Sequence, residues 1–199
     1  MLPGAPKIEP LEHNAELGVY LQTATGQDAE VSRDIYVAQF NPKHRFLATA
    51  GSGYIAHLWD LSRDDLTEFK PTEIPHIKDA EQENQNTAVS SIHWNRAGDK
   101  LLTSSSDMAA RVWKVTQGCD ATILKVKNFN EYLMQSKFCD DADNLVATGG
   151  LMSQIFVWDC ETPDNKEVAC FDHSEIDSNF KGLEIEWQNS KCVAVAGKS

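Results

Sequence analysis

Three short glycine motifs resemble parts of nucleotide-binding loops. Gly197, Lys198 and Ser199 match the end of a phosphate-binding loop, but the loop also requires a glycine where Cys192 stands. Without that glycine the chain cannot bend its amide groups around a phosphate. Gly51 and Gly53 lack the third glycine of a dinucleotide-binding motif and precede a strand rather than a helix, so we interpret them as a turn. Nucleotide binding is therefore not predicted.

The other residue types that support chemistry are scattered. The five cysteines lie at least ten residues apart, so no Cys-x-x-Cys zinc motif exists. His57 and His93 lie within strand-like segments, where a structural role is more common than metal binding. Carboxylate pairs such as Asp64-Asp65 occur in turns or inserts, and no Gly-x-Ser-x-Gly elbow occurs. We predict no catalytic residue, metal site or cofactor, and hence a protein that is not an enzyme.

Charge restricts the partners. The 199 residues include 18 basic and 30 acidic side chains, a net charge of −12. Binding through nucleic-acid phosphates requires a basic surface, so we expect no direct nucleic-acid contact. An anionic membrane surface is disfavoured for the same reason. Basic partners such as Lys/Arg-rich tails remain compatible.

The compartment follows from the N-terminus and the cysteines. The first ten residues hold three prolines and two charges, unlike a signal peptide. No stretch approaches the roughly 18 apolar residues of a membrane span. The odd number of widely spaced cysteines indicates reduced thiols in or near the core, so we predict a nuclear or cytoplasmic protein.

An internal repeat determines the architecture. The segments 46–60, 101–114 and 145–159 end alike, and their tryptophans are 54 and 45 residues apart. A second repeated element, with an aromatic near its end, recurs at 35–42, 89–96, 133–140 and 183–189 with a similar period. Its aromatics, Phe40, Trp94, Phe138 and Trp187, share one repeat position, which indicates a core site. Apolar and polar residues alternate as in strands, and Asn/Asp/Gly clusters separate the two elements as in hairpins. With two weaker candidate strands at 121–127 and 167–171, a unit of about 45 residues holds four strands.

On these features the chain resembles the WD-repeat family, which implies an all-β propeller with about four blades in an incomplete ring. The Trp-Asp pair is intact in the first and third units and becomes Trp113-Lys114 in the unit between them. The family's turn aspartate remains only as Asp107, and His173 is its one plausible blade histidine. The resemblance implies structural blade roles for Trp59, Asp60, Asp107, Trp113, Trp158, Asp159 and His173. The family's buried network of Asp, His, Ser/Thr and Trp is not expected to be intact in any blade.

A narrower resemblance concerns the transducin β-like corepressor proteins, whose yeast counterparts sit in a histone-deacetylase complex. The matching segments are 38–42, 47–53, 89–95, 171–174 and 183–189. That group also has an N-terminal helical dimerisation module, which nothing in residues 1–16 matches, so oligomerisation is not implied.

The repeat also predicts the boundaries. We expect an N-terminal extension at 1–16, a ring-closing strand at 17–25, and blades at about 26–72, 84–127, 128–172 and 173–199, the last truncated. The polar insert 62–86 is interpreted mainly as a solvated loop. Since such rings need about seven blades, the chain is expected to be part of a longer protein.

One rim of the propeller is the expected docking surface. The loops that enter the first strand of each blade and those between its second and third strands lie on the same rim. They bring together the protein-binding residues Arg33, Asp34, Ser52, Thr87, Ala88, Ser106, Glu131, Tyr132 and Leu151.

The predicted function is a non-catalytic scaffold within a multisubunit complex. The leading hypothesis is a nuclear corepressor (histone-deacetylase) subunit in transcriptional repression, with basic, histone-like peptides as ligands. One alternative is a substrate receptor or adaptor of a ubiquitin ligase, although Ser62 stands where many of those carry arginine. The other is a scaffold in RNA processing or ribosome assembly.

Overall fold

The structure, a computed structural model, describes residues 34–62, 71–76, 88–152, 154–172, 174 and 181–198. Fourteen β-strands lie in these residues. They are β1 (Ile35–Phe40), β2 (Phe46–Gly51), β3 (Ile55–Asp60), β4 (Thr72–Pro75), β5 (Val89–Trp94), β6 (Lys100–Ser105), β7 (Ala109–Val115), β8 (Ala121–Asn128), β9 (Leu133–Cys139), β10 (Ala142–Gly150), β11 (Gln154–Asp159), β12 (Glu167–Asp172), β13 (Lys181–Asn189) and β14 (Cys192–Lys198).

The strands form antiparallel sheets in chain order. β1–β4, β5–β8 and β9–β12 each make a four-stranded sheet, and β13 pairs with β14. We call these sheets blades 1, 2 and 3 and the last pair unit 4. The predicted fold class, an all-β propeller with about four blades, is confirmed, and the described sheets do not close a ring.

The second strands of blades 1 and 2 are almost completely buried. All six residues of β2 (Phe-Leu-Ala-Thr-Ala-Gly) are buried, and in β6 all but Lys100 are. For β6 the reason is that blade 2 packs between blades 1 and 3, which covers both faces of the strand and replaces the alternation of a half-exposed strand. The outer strand β8 shows that contrast, since most of its side chains are exposed.

The hydrophobic core is divided among the interfaces between blades. One cluster joins blades 1 and 2 and contains Leu58, Ile74 and Trp113. A second joins blades 2 and 3 around Phe138 and Trp158. A third joins blade 3 to unit 4. Trp113 and Trp158 lie in these clusters between blades, and Trp59 is also buried.

The tryptophans near the ends of β5 and β13 form hydrogen bonds with the preceding blade. The Trp94 indole donates a hydrogen bond to the Gln39 carbonyl (3.2 Å), and the Trp187 indole donates to the Lys137 carbonyl (3.1 Å). Phe40, for which the repeat also predicts a core site, is 67% exposed, so that prediction is wrong. The reason is positional: within the described part of the chain, blade 1 has no blade before it.

Several predicted boundaries fall outside the described residues. The extension 1–16, the strand 17–25 and most of the insert 62–86 are among them. Within that insert lies β4, which pairs with β3 and completes blade 1.

Candidate docking rim and the polar groups beneath it

The predicted rim residues meet in pairs at the same position of each blade. In each pair an amide of the hairpin between the second and third strands donates to a carbonyl at the entry of the first strand. The pairs are Ser52 with Asp34 (2.8 Å), Ser106 with Ala88 (2.9 Å) and Leu151 with Tyr132 (3.1 Å). The structure thus brings six of the predicted residues together two by two. Arg33 and Thr87 lie outside the described residues.

Serine hydroxyls close the rim of blades 1 and 2. Ser52 Oγ accepts a hydrogen bond from the Asp34 amide (2.6 Å), and Ser106 Oγ accepts one from the Ala88 amide (2.8 Å). Ser52 also forms a β-bridge with Ala88. The rims of these two blades are therefore joined through backbone contacts.

In blade 3 the corresponding side-chain hydrogen bond has the opposite direction, because Leu151 stands where blades 1 and 2 have a serine. The Met152 amide donates to Glu131 Oε2 at 2.5 Å, so a side chain at the entry of the first strand holds the backbone of the hairpin. Gly150 permits this approach: a Cβ there would lie 2.2 Å from the Tyr132 carbonyl oxygen and 2.7 Å from Glu131 Oε2.

Glu131 is an unusual carboxylate. It is only 5% exposed, and its Oε1 has no hydrogen-bond partner among the described residues. Burial raises the pKa of Glu131, and the bond from Met152 opposes that rise only partly. Beside it Tyr132, Leu151 and Met152 are exposed and form an apolar patch.

Each blade carries a buried tryptophan–threonine hydrogen bond. An indole Nε1 donates to a threonine Oγ1 ten residues earlier, at 2.9 Å in all three cases. The pairs are Trp59 with Thr49, Trp113 with Thr103 and Trp158 with Thr148. The family's network of Asp, His, Ser/Thr and Trp was not expected to be intact, but its tryptophan–threonine bond is present in all three blades. The threonines were missed, although their constant spacing from tryptophan is visible in the sequence.

In blade 2, Arg111 connects an aspartate with a histidine, the other two residue types of the family's network. Arg111 Nη2 forms an ion pair with Asp107 (2.7 Å), while its Nη1 lies 3.0 Å from His76 Nδ1. Arginine can only donate, so the neutral His76 ring accepts through Nδ1. Burial and the Arg111 charge hold the pKa of His76 well below its usual range. His173 lies outside the described residues, and sequence reasoning missed His76, which directly follows β4.

The two Trp-Asp aspartates fix the turns after the third strands. Asp60 Oδ1 accepts from the Ser62 amide (2.9 Å), and Asp159 Oδ1 accepts from the Glu161 amide (2.8 Å). Asp159 Oδ2 also accepts from Asn144 (2.7 Å), and bonds of this kind keep the pKa of Asp159 low despite burial. These contacts agree with the structural role implied by the resemblance.

A chain of buried hydroxyls crosses from blade 2 to blade 3. Ser91 Oγ donates to Ser104 Oγ (3.0 Å), which donates to Ser136 Oγ (2.7 Å). Ser136 Oγ lies 2.8 Å from Thr148 Oγ1, the acceptor of the Trp158 indole. Full pairing makes such a buried network favourable, whereas a broken one is costly.

The first strands face one another across charged side chains. Lys137 of β9 forms ion pairs with Glu184 (2.9 Å) and Glu186 (2.6 Å) of β13. His93 of β5 accepts a hydrogen bond from the Phe138 amide (3.2 Å), and burial lowers its pKa to about 4. At the turn end of these strands is an open cavity of about 480 Å³ whose walls include Trp94, Trp187, His93, Arg96 and Asp140.

The remaining reactive groups are dispersed. Within the described ranges, no group of three or more His, Cys, Asp or Glu side chains could hold a metal ion. All five cysteines are free thiols, but Cys170 and Cys192 are exposed, so the core position predicted for cysteine fails there. Burial raises the pKa of Cys160 to about 11. The described residues include no helix with the length and hydropathy of a membrane span.

The comparisons with known proteins agree with this geometry. A model of the WD40 family (WD domain, G-beta repeat) matches residues 80–114. The F-box-like/WD repeat-containing protein TBL1X of Macaca fascicularis and that of Homo sapiens are each 25% identical over 191 residues, which is 94% of this chain and 31% of theirs. The chain thus spans about a third of the length of these relatives.

A solved structure shows the same fold. The β-propeller domain of Cps50 (Swd1) from Myceliophteria thermophila aligns with a TM-score of 0.63 at 16% identity, covering 84% of this chain and 49% of that one. Stacked four-stranded blades tied by tryptophan–threonine bonds define the class, a β-propeller scaffold. Residues 80–114 match the WD40 family model, and the described blades have the fold of a WD-repeat propeller.

Proposed function

We propose that the chain is part of a scaffold subunit of a nuclear corepressor (histone-deacetylase) complex, and that its rim docks basic, histone-like peptides. WD-repeat domains generally mediate protein–protein interactions, so a docking role follows from the family. The corepressor assignment rests on the resemblance to the transducin β-like group and on the distant similarity to TBL1X.

One observation carries the choice of a basic ligand. The rim holds the carboxyl groups of Asp34, which is exposed, and Glu131, which lies under the apolar patch. The other described rim residues bear no charge, so they do not neutralise these two. A Lys/Arg-rich peptide would gain charge complementarity at Asp34 and apolar contact at Tyr132 and Leu151.

A charge reversal at the rim tests peptide docking. In the full-length protein, Asp34→Lys should weaken binding of a fluorescein-labelled, Lys/Arg-rich histone-tail peptide at least threefold, as measured by anisotropy at low salt. Asp141→Lys makes the same charge change at an exposed turn between β9 and β10, at the other end of the strands, and should have little effect. Equal affinities for wild type and Asp34→Lys would contradict the proposed rim.

A second experiment tests the complex. Affinity purification of the full-length protein from its native cell should recover deacetylase subunits. Recovery of a cullin adaptor or of RNA-processing subunits instead would replace the corepressor assignment with one of the two alternatives.

A further inference from the structure

The buried carboxyl group of Glu131 borders a small cavity on the rim side of blade 3. The cavity measures about 180 Å³, and its walls include Glu131, Met152 and Glu167. Cavities of about 150 Å³ in proteins accept a molecule the size of benzene. The space therefore fits the end of one side chain rather than a peptide segment.

The lining of the cavity combines apolar and acidic side chains, which suits a cationic group carried on an aliphatic chain. Phe129 and Phe156 contribute an aromatic pair with ring centroids 5.3 Å apart, and Met152 adds a flexible apolar wall. Glu131 and Glu167 supply carboxylate oxygens as acceptors. A lysine or arginine side chain combines an apolar stem with a charged donor head, which matches both parts of this lining.

The unsatisfied oxygen is the strongest sign of a missing donor. Glu131 Oε2 is occupied by the Met152 amide, whereas Oε1 is buried without a partner among the described residues. Buried polar atoms in native proteins are nearly always hydrogen-bonded, so each exception requires an explanation. A donor brought by a ligand would satisfy Oε1.

The protein's own neighbouring cation does not fill this role. Lys127 also borders the cavity, but its Nζ lies 3.3 Å from the Asn165 carbonyl oxygen and 5.4 Å from the Phe129 ring centroid. No ion pair between Lys127 and Glu131 exists in the structure within 4.0 Å. The carboxyl group therefore keeps its capacity for an external cation.

We infer that this cavity receives a single lysine or arginine side chain of a protein partner, with Glu131 Oε1 accepting a hydrogen bond from the cationic head. The inference rests on the proposed docking function of the rim and gives it a specificity pocket. It also assigns Glu131 a role beyond holding the hairpin.

The test uses the ¹⁵N-labelled full-length protein and three small probes. These are the Nα-acetyl N-methylamides of lysine, arginine and norleucine, which separate the two cationic heads from an apolar stem alone. The reporter is the Met152 amide, which donates to Glu131 and should shift when the carboxyl group gains a second partner. We expect saturable shifts with the lysine probe, the arginine probe or both, and none with norleucine.

The matched variants separate binding from stability. Glu131→Gln keeps an oxygen for the Met152 amide but removes the charge, so it should weaken the cationic probe at least tenfold. Asp141→Asn, a carboxyl loss at the exposed turn between β9 and β10, should bind like wild type. Thermal unfolding of both variants shows whether each remains folded.

The outcomes distinguish this inference from the proposed function. Equal shifts with norleucine and the cationic probes, or no shift in the folded wild type, would overturn the pocket. If the basic peptide still binds and Asp34→Lys still weakens it, the docking function would stand without the pocket. If the probes shift Met152 while Asp34→Lys leaves peptide affinity unchanged, the pocket would stand and the proposed rim would fail.

Discussion

The hydroxyl chain between blades 2 and 3 makes Ser136→Ala a decisive substitution. The Ser136 hydroxyl accepts from Ser104 Oγ at 2.7 Å and shares a hydrogen bond with Thr148 Oγ1 at 2.8 Å. All three side chains are fully buried, so water cannot replace a lost partner. The substitution removes one oxygen and leaves the β9 backbone unchanged.

The expected cost follows from the donor that is left behind. Without Ser136 Oγ, the Ser104 hydroxyl loses the acceptor that it has in the structure, whereas Thr148 keeps the Trp158 indole as a partner. An unsatisfied buried donor costs roughly 1–3 kcal/mol. Since about 1.4 kcal/mol is a factor of ten, the unfolding equilibrium should rise about 5- to 150-fold.

Urea unfolding followed by tryptophan fluorescence measures this change. Ser136→Ala should lower the midpoint without changing the slope, because the surface exposed on unfolding is the same. Ser190→Ala, in the exposed turn after β13, is the matched control and should stay within about 0.5 kcal/mol of wild type. If Ser136→Ala unfolds like Ser190→Ala, the hydroxyl chain contributes no stability and our reasoning about it is refuted.

Three other predictions concern separate parts of the described structure. Trp113→Phe removes an indole donor and leaves its threonine unpaired, so unfolding free energy should fall by about 1–3 kcal/mol; an unchanged urea midpoint would contradict this. The folded-state pKa of His93 lies near 4, below the unfolded value near 6.5, so the free energy of unfolding should fall as the pH drops between these values. His93→Gln should flatten that part of the stability–pH curve, and equal curves for the variant and wild type would contradict this. Lys137→Met should cost about 1 kcal/mol or less in low salt and less still in 1 M NaCl, and a salt-independent loss would exclude an ionic origin.

Much of the architecture could be predicted from local patterns. The period-2 alternation, the turn clusters and the repeated tryptophans indicate four-stranded antiparallel blades, because these signals arise within about 45 consecutive residues. The repeat also predicts that these entry and hairpin residues share one rim, whereas the pairs, such as Asp34 with Ser52, come from the structure. Their role in binding other proteins stays a prediction.

The errors arise where a neighbour in space matters more than the repeat. Phe40 occupies the same repeat position as buried Phe138, yet it is 67% exposed because its covering blade is absent from the described residues. His76 lies in a stretch without repeat signal and becomes identifiable only through its contact with Arg111.

The sequence by itself determined the strand order, the blade period and the acidic character, since hydrophobic alternation and turn residues act through neighbours along the chain. Only the tertiary structure decided which polar atoms are satisfied. The Ser104–Ser136 hydrogen bond joins residues 32 positions apart, and the unpaired oxygen of Glu131 depends on how blade 3 packs around it. Burial and hydrogen-bond partners are properties of packing in three dimensions, and they set both the stability and the chemistry of the rim.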